Sequence, residues 1–336
     1  MKPDVHDLER RARGVLIGAA VGDSMGAPCE GWTAEQIEER YGLVTGFVSE
    51  RSAGTDDTDF TLFNAYLLST YGSAITVEQV EAEWREKLLG GKHAYRPGGF
   101  SDVLATNNLR EGMHAPASGA CNHQMWSDGV AMAIGAAGIV AAGRPEQAAA
   151  LADVLGSVSN GRDGLYTARA VAAAISLAMV GAAPAEMVAA AVKVVPEDSW
   201  TGRALAKARD LGAAPPPAET LRAAIESELV YSWWPWADLA TEAVPVAFAF
   251  FLALGGCYPE AVPHAIRIGR DADTIGAIVG SLCGAYQGID GIPEAWSERV
   301  QSSQGSSIGF VAGRSIFETA DELARVAYQE ASHGTP

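Results

Sequence analysis

Two short acidic stretches carry the residue types for metal chemistry. Thr55, Asp56 and Asp57 head one apolar run, "GTDDTDFTLFNAYLL", and Asp271, Asp273 and Thr274 head another, "GRDADTIGAIVGSLCGAYQG". Each trio alone also reads as a helix start, since Thr and Asp are favoured caps and first-turn acids complement the positive end of the helix dipole. Taken together they ask for more. Two pairs of closely spaced carboxylates brought to one place repel unless a cation lies between them or some stay protonated. The donors are carboxylate and hydroxyl oxygens with no histidine in either trio, which favours Mg2+ or Mn2+ and disfavours zinc. Four carboxylates and two hydroxyls are enough for two ions at the roughly 3.5–4 Å separation of two-metal hydrolases.

A third stretch, "GVLIGAAVGDSMGAPCEGW", sets Gly14, Gly18, Gly22 and Gly26 four residues apart, a spacing that lets a neighbouring helix approach closely. Asp23 and Glu30 are acids in these apolar surroundings, and burying them requires a partner.

The elements that must hold these residues are helical. "VEQVEAEWREKLLGG", "LYTARAVAAAISLAMVGA", "PEAVPHAIRIG" and "ADELARVAYQEA" place apolar residues three and four apart. Alternating β-branched runs are scarce, with "YGLVTGFVS" the only tempting strand, so the pattern predicts an all-α fold. Several helices are apolar nearly all round, which fits central elements covered by others. Short connectors such as "GRPEQ" and "GGCYPEA" pair a Gly stop with a Pro start. With 336 residues, 48% hydrophobic and 19% charged, the chain has ample material for a sizeable core.

The formal charge of −17, from 41 acids and 24 bases, excludes a phosphate backbone as partner, so no nucleic acid is expected. Any anionic ligand must be held locally, by a metal or by backbone amides. Cys29, Cys121, Cys257 and Cys283 show no metal-binding spacing and read as free thiols in a reducing compartment. No uncharged apolar run reaches membrane-spanning length and the polar start is no signal peptide, so a cytoplasmic protein with no membrane partner is expected.

In their order, "GVLIGAAVGDSMGAPCEGW", "GTDDTDF", "EAVPVAFAFF" and "IGRDADTIGAIVGSLCGAYQGIDGIPEAW" resemble the successive motifs of the ADP-ribosylglycohydrolase family, over most of the chain. The resemblance implies one compact multi-helix orthogonal bundle, residues 7–330, followed by a flexible tail at 331–336. It implies a cleft with two metal ions, Mg2+ or Mn2+, held by Thr55, Asp56 and Asp57 from one helix start and by Asp271, Asp273 and Thr274 from another. Glu30 matches the acid of the first motif and is expected to act as gate, ligand or acid-base group. The implied reaction is hydrolysis of an N- or O-glycosidic bond at the anomeric carbon of a ribose, with Asp56, Asp57 or Asp273 taking a proton from the attacking water. The implied partner is an ADP-ribosylated protein or a small-molecule riboside, acted on by a monomer or small homo-oligomer. A non-catalytic crystallin-like relative is the alternative from another class.

The departures from the family pattern bear on substrate. Where ADP-ribose-binding members resemble Gly-Asn-Gly followed by small residues and Met-Arg, this chain reads "WSDGVAMAIG": Gly129 and Met132 remain, Asp128 brings a negative charge, and Ala133 stands for Arg. A Ser-His pair becomes Ser159-Asn160. Asp128, Gly129, Ser159 and Asn160, with His123 and Trp126 from "SGACNHQMWSDG" and His93 and Arg96 from "GKHAYRPGGFSDV", are the candidates for substrate contact. ADP-ribosyl groups on protein or small-molecule acceptors are the default substrate that the resemblance implies, and the altered segment leaves two readings: an ADP-ribosyl group held differently, or a smaller riboside or nucleoside. The cluster "YSWWPWADL" reads as a packed aromatic corner before a stacking platform, and His264 as a core or edge histidine.

Overall fold

A glycine stripe on one helix finds a glycine stripe on another. In the computed structural model, which describes residues 4–50 and 54–333, Gly14, Gly18 and Gly22 of the helix Val5–Gly26 lie against Gly284, Gly280 and Gly276 of the antiparallel helix Ala272–Gln287. A Cβ added at Gly22 would stand 2.0 Å from the carbonyl oxygen of Gly276, and one at Gly284 would stand 1.9 Å from that of Gly14. Only hydrogen fits, so the backbones touch directly, in the manner of helix interfaces built on Cα–H to carbonyl contacts. The buried Tyr258 hydroxyl donates to the Gly18 carbonyl at 2.7 Å. Arg11 donates to the carbonyls of Ala285 and Tyr286, which the end of the second helix leaves free.

Other helices cover this pair, as the apolar patterns require. The helix Ala240–Ala253 is buried at every position from Ala240 to Phe251, so no solvent face exists for a polar residue to take. The helix Asp163–Ala178 packs between it and the helix Pro145–Gly156. The long amphipathic helix Ile316–His333 lies on the first helix, where Arg13 makes two hydrogen bonds with Asp321.

The antiparallel seam fixes where the acids go. It brings the C-terminal end of the first helix, with Asp23 and then Glu30, beside the N-terminal end of the last glycine helix, with Asp271 and Asp273. The helix Asp56–Tyr71 starts at the same place, capped by Thr55.

The all-α expectation is met. Among the described residues there are 17 α-helices, and extended backbone pairs only at isolated bridges such as Ser127 with Leu239. The stretch "YGLVTGFVS" is irregular beyond Tyr41 and forms no strand. The last helix continues through His333, and the remainder of the expected tail, 334–336, lies outside the described residues. All four cysteines are free, and none of the described helices is long and apolar enough to cross a membrane.

Candidate metal centre

Asp23 joins the first helix to the second helix start. Its carboxylate accepts from the backbone N–H of Thr55 at 2.8 Å and of Thr58 at 3.2 Å, and from the Thr58 hydroxyl at 2.5 Å. The buried acid that needed a partner therefore has several, all of them donors at the N-terminus of the helix Asp56–Tyr71, where the dipole also favours negative charge. Thr55 closes the cap by accepting from the Asp57 N–H at 3.3 Å.

With the two helix starts held together, eight carboxylates line one cavity of about 80 Å³: Glu30, Asp56, Asp57, Asp102, Asp128, Asp238, Asp271 and Asp273. Thr274, Met132, Gly98 and Gly129 also face it, and among the described residues no Lys, Arg or His does. An outer cleft of about 260 Å³ adjoins the cavity and shares Glu30, Gly98, Gly99, Asp238 and Asp271 with it. Glu30, Asp271 and Asp273 each offer a ligand oxygen, all within 4.8 Å of one another.

The electrostatics match that crowding. Burial, and after it the charges of Asp271 and Asp56, pushes Glu30 up to about 7. Burial raises Asp23 to about 6, Asp56 to about 6, Asp102 to about 7 and Asp238 to about 6. Asp57, Asp128 and Asp273 stand well above the ordinary carboxylate range, by burial first and by neighbouring carboxylates second. In each of these three one buried oxygen has no hydrogen-bond partner: Asp57 Oδ2, Asp128 Oδ2 and Asp273 Oδ1. Partnerless carboxyl oxygens on residues that line one small space, in a wall with no histidine or cysteine among the described residues, fit a divalent cation of the Mg2+ or Mn2+ kind.

Gly98 shows how tightly the wall is drawn. A Cβ there would overlap Asp56 Oδ2 at 1.7 Å, so glycine lets the 92–99 segment close over that carboxylate. The segment is held from behind by Asp59, the last acid of "TDDTD". Asp59 accepts from the Ser303 hydroxyl at 2.5 Å and from the N–H groups of Ser307 and Ile308 at 2.8 and 3.0 Å, while Ser307 bonds Arg96 through backbone and hydroxyl.

The structure brings together Glu30, Asp56, Asp57, Asp271, Asp273, Thr274, Asp128 and Gly129 as lining residues. Thr55 caps its helix and lines a neighbouring cleft with Ser24 and Tyr41. Ser159 and Asn160 stand behind the wall and line neither space: Asn160 donates to the Ser127 carbonyl at 2.9 Å, Ser159 donates to Asn160, and both brace the turn that carries Asp128. His123 is exposed and outside both spaces. Trp126 sits edge-on to Trp234 at 5.7 Å and lines neither space. His93 packs edge-on to Phe310, and Arg96 is exposed.

Two acids that sequence reasoning passed over, Asp102 and Asp238, complete the wall. Each is a single carboxylate in a loop or first turn without a second acid beside it; the signal available was an acid following Gly-Gly in "GGFSD" and an acid ending the aromatic run "WPWAD".

The sequence model of the ADP-ribosylglycohydrolase family matches residues 4–333. An uncharacterized protein of Archaeoglobus fulgidus is 28% identical over 88% of this chain and 93% of its own length. ADP-ribosylarginine hydrolase Tri1 of Pseudomonas putida is 26% identical over 88% of this chain and 75% of its own. Human ADP-ribosylhydrolase ARH3 is 34% identical over 20% of this chain, a stretch that spans 22% of the human protein. Among solved structures, an ADP-ribosylglycohydrolase-related protein complex superposes with a TM-score of 0.66 at 22% identity, over 97% of this chain and 99% of that one, which shows a shared fold.

Proposed function

Because the chain belongs to the ADP-ribosylglycohydrolase family, we propose that its carboxylate cavity binds two divalent ions, Mg2+ or Mn2+, and that the protein hydrolyses an N- or O-glycosidic bond at the anomeric carbon of a ribose. The observation that carries this reading is the gathering of eight carboxylates in one cavity, three of them, Asp57, Asp128 and Asp273, with a buried oxygen that has no partner. Asp56, Asp57, Asp271, Asp273 and Thr274 would hold the ions, with Thr55 orienting Asp57 through its cap. Bound there, such ions supply positive charge for the ribose hydroxyls and make a nearby water acidic enough to attack at neutral pH.

The chain's own groups divide the remaining work. Asp23, fixed by three donors, locks the two helix starts so that the carboxylates keep their separation. Glu30 lies at the boundary shared by the inner cavity and the outer cleft, so its carboxylate reaches the position between ribose and leaving group. From there it can orient the water or pass a proton to the departing atom. Asp102 and Gly98 wall off the side next to Asp56 and limit bulk water to the outer cleft.

Two substrates are consistent with this reaction. The relatives' names support an ADP-ribosyl group on a protein or small acceptor, and Asp128, buried with a free oxygen where the resemblance expects amides for a diphosphate, supports a smaller riboside. Metal analysis of the purified protein, paired with release of ribose or ADP-ribose from a substrate panel with and without Mn2+, tests the proposal. Near-stoichiometric metal and Mn2+-dependent release that Asp273→Ala abolishes are expected. Absence of both metal and release in the parent protein would reject it in favour of a non-catalytic, crystallin-like role.

A further inference from the structure

We infer that the substrate of this site is a ribosyl compound with no diphosphate, whose leaving group is a planar cationic ring held in the outer cleft by Phe100, Val103 and Trp236. This rests on the ribosyl-hydrolase reading above and names its substrate class.

Three observations carry it. The first is the placement of exposed apolar surface. Among the described residues six large hydrophobic side chains are exposed, and three of them, Phe100, Val103 and Trp236, line this one cleft at the mouth of the carboxylate cavity. Phe100 and Val103 lie one turn apart at the start of a helix, on a rigid element. The Trp236 ring is backed by Trp234 at 5.3 Å, and its carbonyl accepts from Arg270 at 2.8 Å, so the aromatic is held in place without a ligand. Apolar surface kept in water at a polar cavity's rim is the pattern of a small-molecule site.

The second is charge. The inner cavity presents eight carboxylates and the outer cleft shares three of them, with no basic side chain among the described residues lining either. The guanidinium of Arg270, next in the chain to Asp271, is committed to the buried Glu242 at 2.7 Å. The described lining offers a diphosphate carboxylates and no basic side chain, whereas a cation finds acidic groups beside an aromatic face. The third is Asp128, 3% exposed, whose Oδ2 is partnerless at the cavity wall. A phosphate brought there would meet a buried carboxyl oxygen that has no donor of its own beside it.

The chemistry closes without further reagents. Water oxygen bonds to C1, and the C1–N bond breaks with its electron pair moving to the ring nitrogen, so a cationic ring leaves neutral. The water's proton passes to a wall carboxylate and then to solvent. Positive charge migrates to the sugar in the transition state, where the remaining carboxylates favour it.

The test uses the Mn2+-loaded full chain and three probes: a pyridinium riboside, ribosylnicotinamide; the uncharged nucleoside uridine; and ADP-ribose. Binding is read by quenching of tryptophan fluorescence and turnover by release of the free ring. The pyridinium riboside is expected to bind at least tenfold more tightly than ADP-ribose, and Trp236→Ala and Phe100→Ala each to weaken it roughly tenfold with manganese content unchanged. Trp236→Phe should retain most of the binding. ADP-ribose binding as tightly as the pyridinium riboside, or hydrolysis of ADP-ribosylarginine without hydrolysis of the riboside, overturns the inference and leaves the hydrolase reading standing. Tight riboside binding in a protein that holds manganese but releases no ring rejects the hydrolase reading instead, with the cleft's preference upheld.

Discussion

The glycine seam and the carboxylate cavity lie end to end on the same two helices, and they are built on opposite terms. Along the seam, Gly14, Gly18 and Gly22 meet Gly284, Gly280 and Gly276 with space for nothing larger than hydrogen. At its cavity end, Asp273 of the helix Ala272–Gln287, and Asp57 and Asp128 from other segments, each keep a buried oxygen without a partner. One region is stable because every atom has a neighbour; the other is receptive because several do not. The difference teaches that the fold concentrates its stability in a dry backbone contact and spends part of it on like charges held within the same rigid frame.

Substitutions at the two ends should therefore fail in different ways. The largest effect is expected for Gly22→Val. Its Cβ would meet backbone rather than a movable side chain, and separating the helices opens the whole seam, so a loss of more than about 4 kcal/mol and no cooperative unfolding transition are expected by circular dichroism. A Gly22→Val protein that melts like the parent would break the comparison.

At the cavity the order reverses. Asp273→Asn keeps the shape and removes a charge, so it should lower turnover at least 100-fold while raising metal-free stability by about 1 kcal/mol at pH 8, as measured by urea unfolding. Loss of stability in that variant would show that the carboxylate is part of the scaffold.

Metal and pH sharpen the contrast next. Saturating Mn2+, at about 100 times its Kd, should raise Tm by roughly 5 °C, followed by scanning fluorimetry. Glu30 and Asp102 are raised to about 7 and Asp23, Asp56 and Asp238 to about 6, so between about pH 4 and 7 the folded metal-free protein holds protons that the unfolded chain has released. More protons on the folded side means that this contribution to stability is present below pH 4 and is lost as pH rises to 7. Metal-free Tm should fall between about pH 4.5 and 7, and the rise on adding Mn2+ should grow across the same interval. A metal-free Tm that climbs over that interval would contradict the raised values.

The smallest effect separates two kinds of glycine. Gly98→Ala meets Asp56 at its Cβ as well as its carboxylate, so turning the side chain is not enough and the 92–99 segment must shift outward; roughly tenfold weaker Mn2+ binding by calorimetry is expected, with Tm lowered by only a few degrees. It behaves as a cavity residue although it is a glycine.

Much of this was legible beforehand, and the boundary follows physical lines. The two acidic trios and the four-residue glycine spacing declare themselves because each is a local pattern with a distinct cost if left unpaired. The helices of the all-α fold are equally local. Asp102 and Asp238 are lone acids whose neighbours in the chain say nothing about the carboxylates they face, and only the packing of separate segments joins them. Ser159 and Asn160 illustrate the other limit. Their types suit ligand contact, but the Asn160 amide is claimed by Ser127, distant in sequence, the Ser159 hydroxyl by Asn160, and the Ser159 carbonyl by Asn122. Asp59 sits two residues from Asp57 and yet anchors the 303–308 loop, since one turn of helix points neighbouring carboxylates in different directions.

The seam also orders events in time. Arg11 bonds the carbonyl of Tyr286 across 275 residues of chain, so an apolar, glycine-striped helix leaves the ribosome long before the surface it was shaped for exists. At ordinary synthesis rates that interval is on the order of tens of seconds. During it the first helix must be sheltered, by its neighbours or by a chaperone, and the carboxylates cannot yet be gathered. The centre therefore comes together near the end of synthesis, in the same step that closes the molecule's interior, and a nascent chain has no use for metal until its backbone is nearly complete.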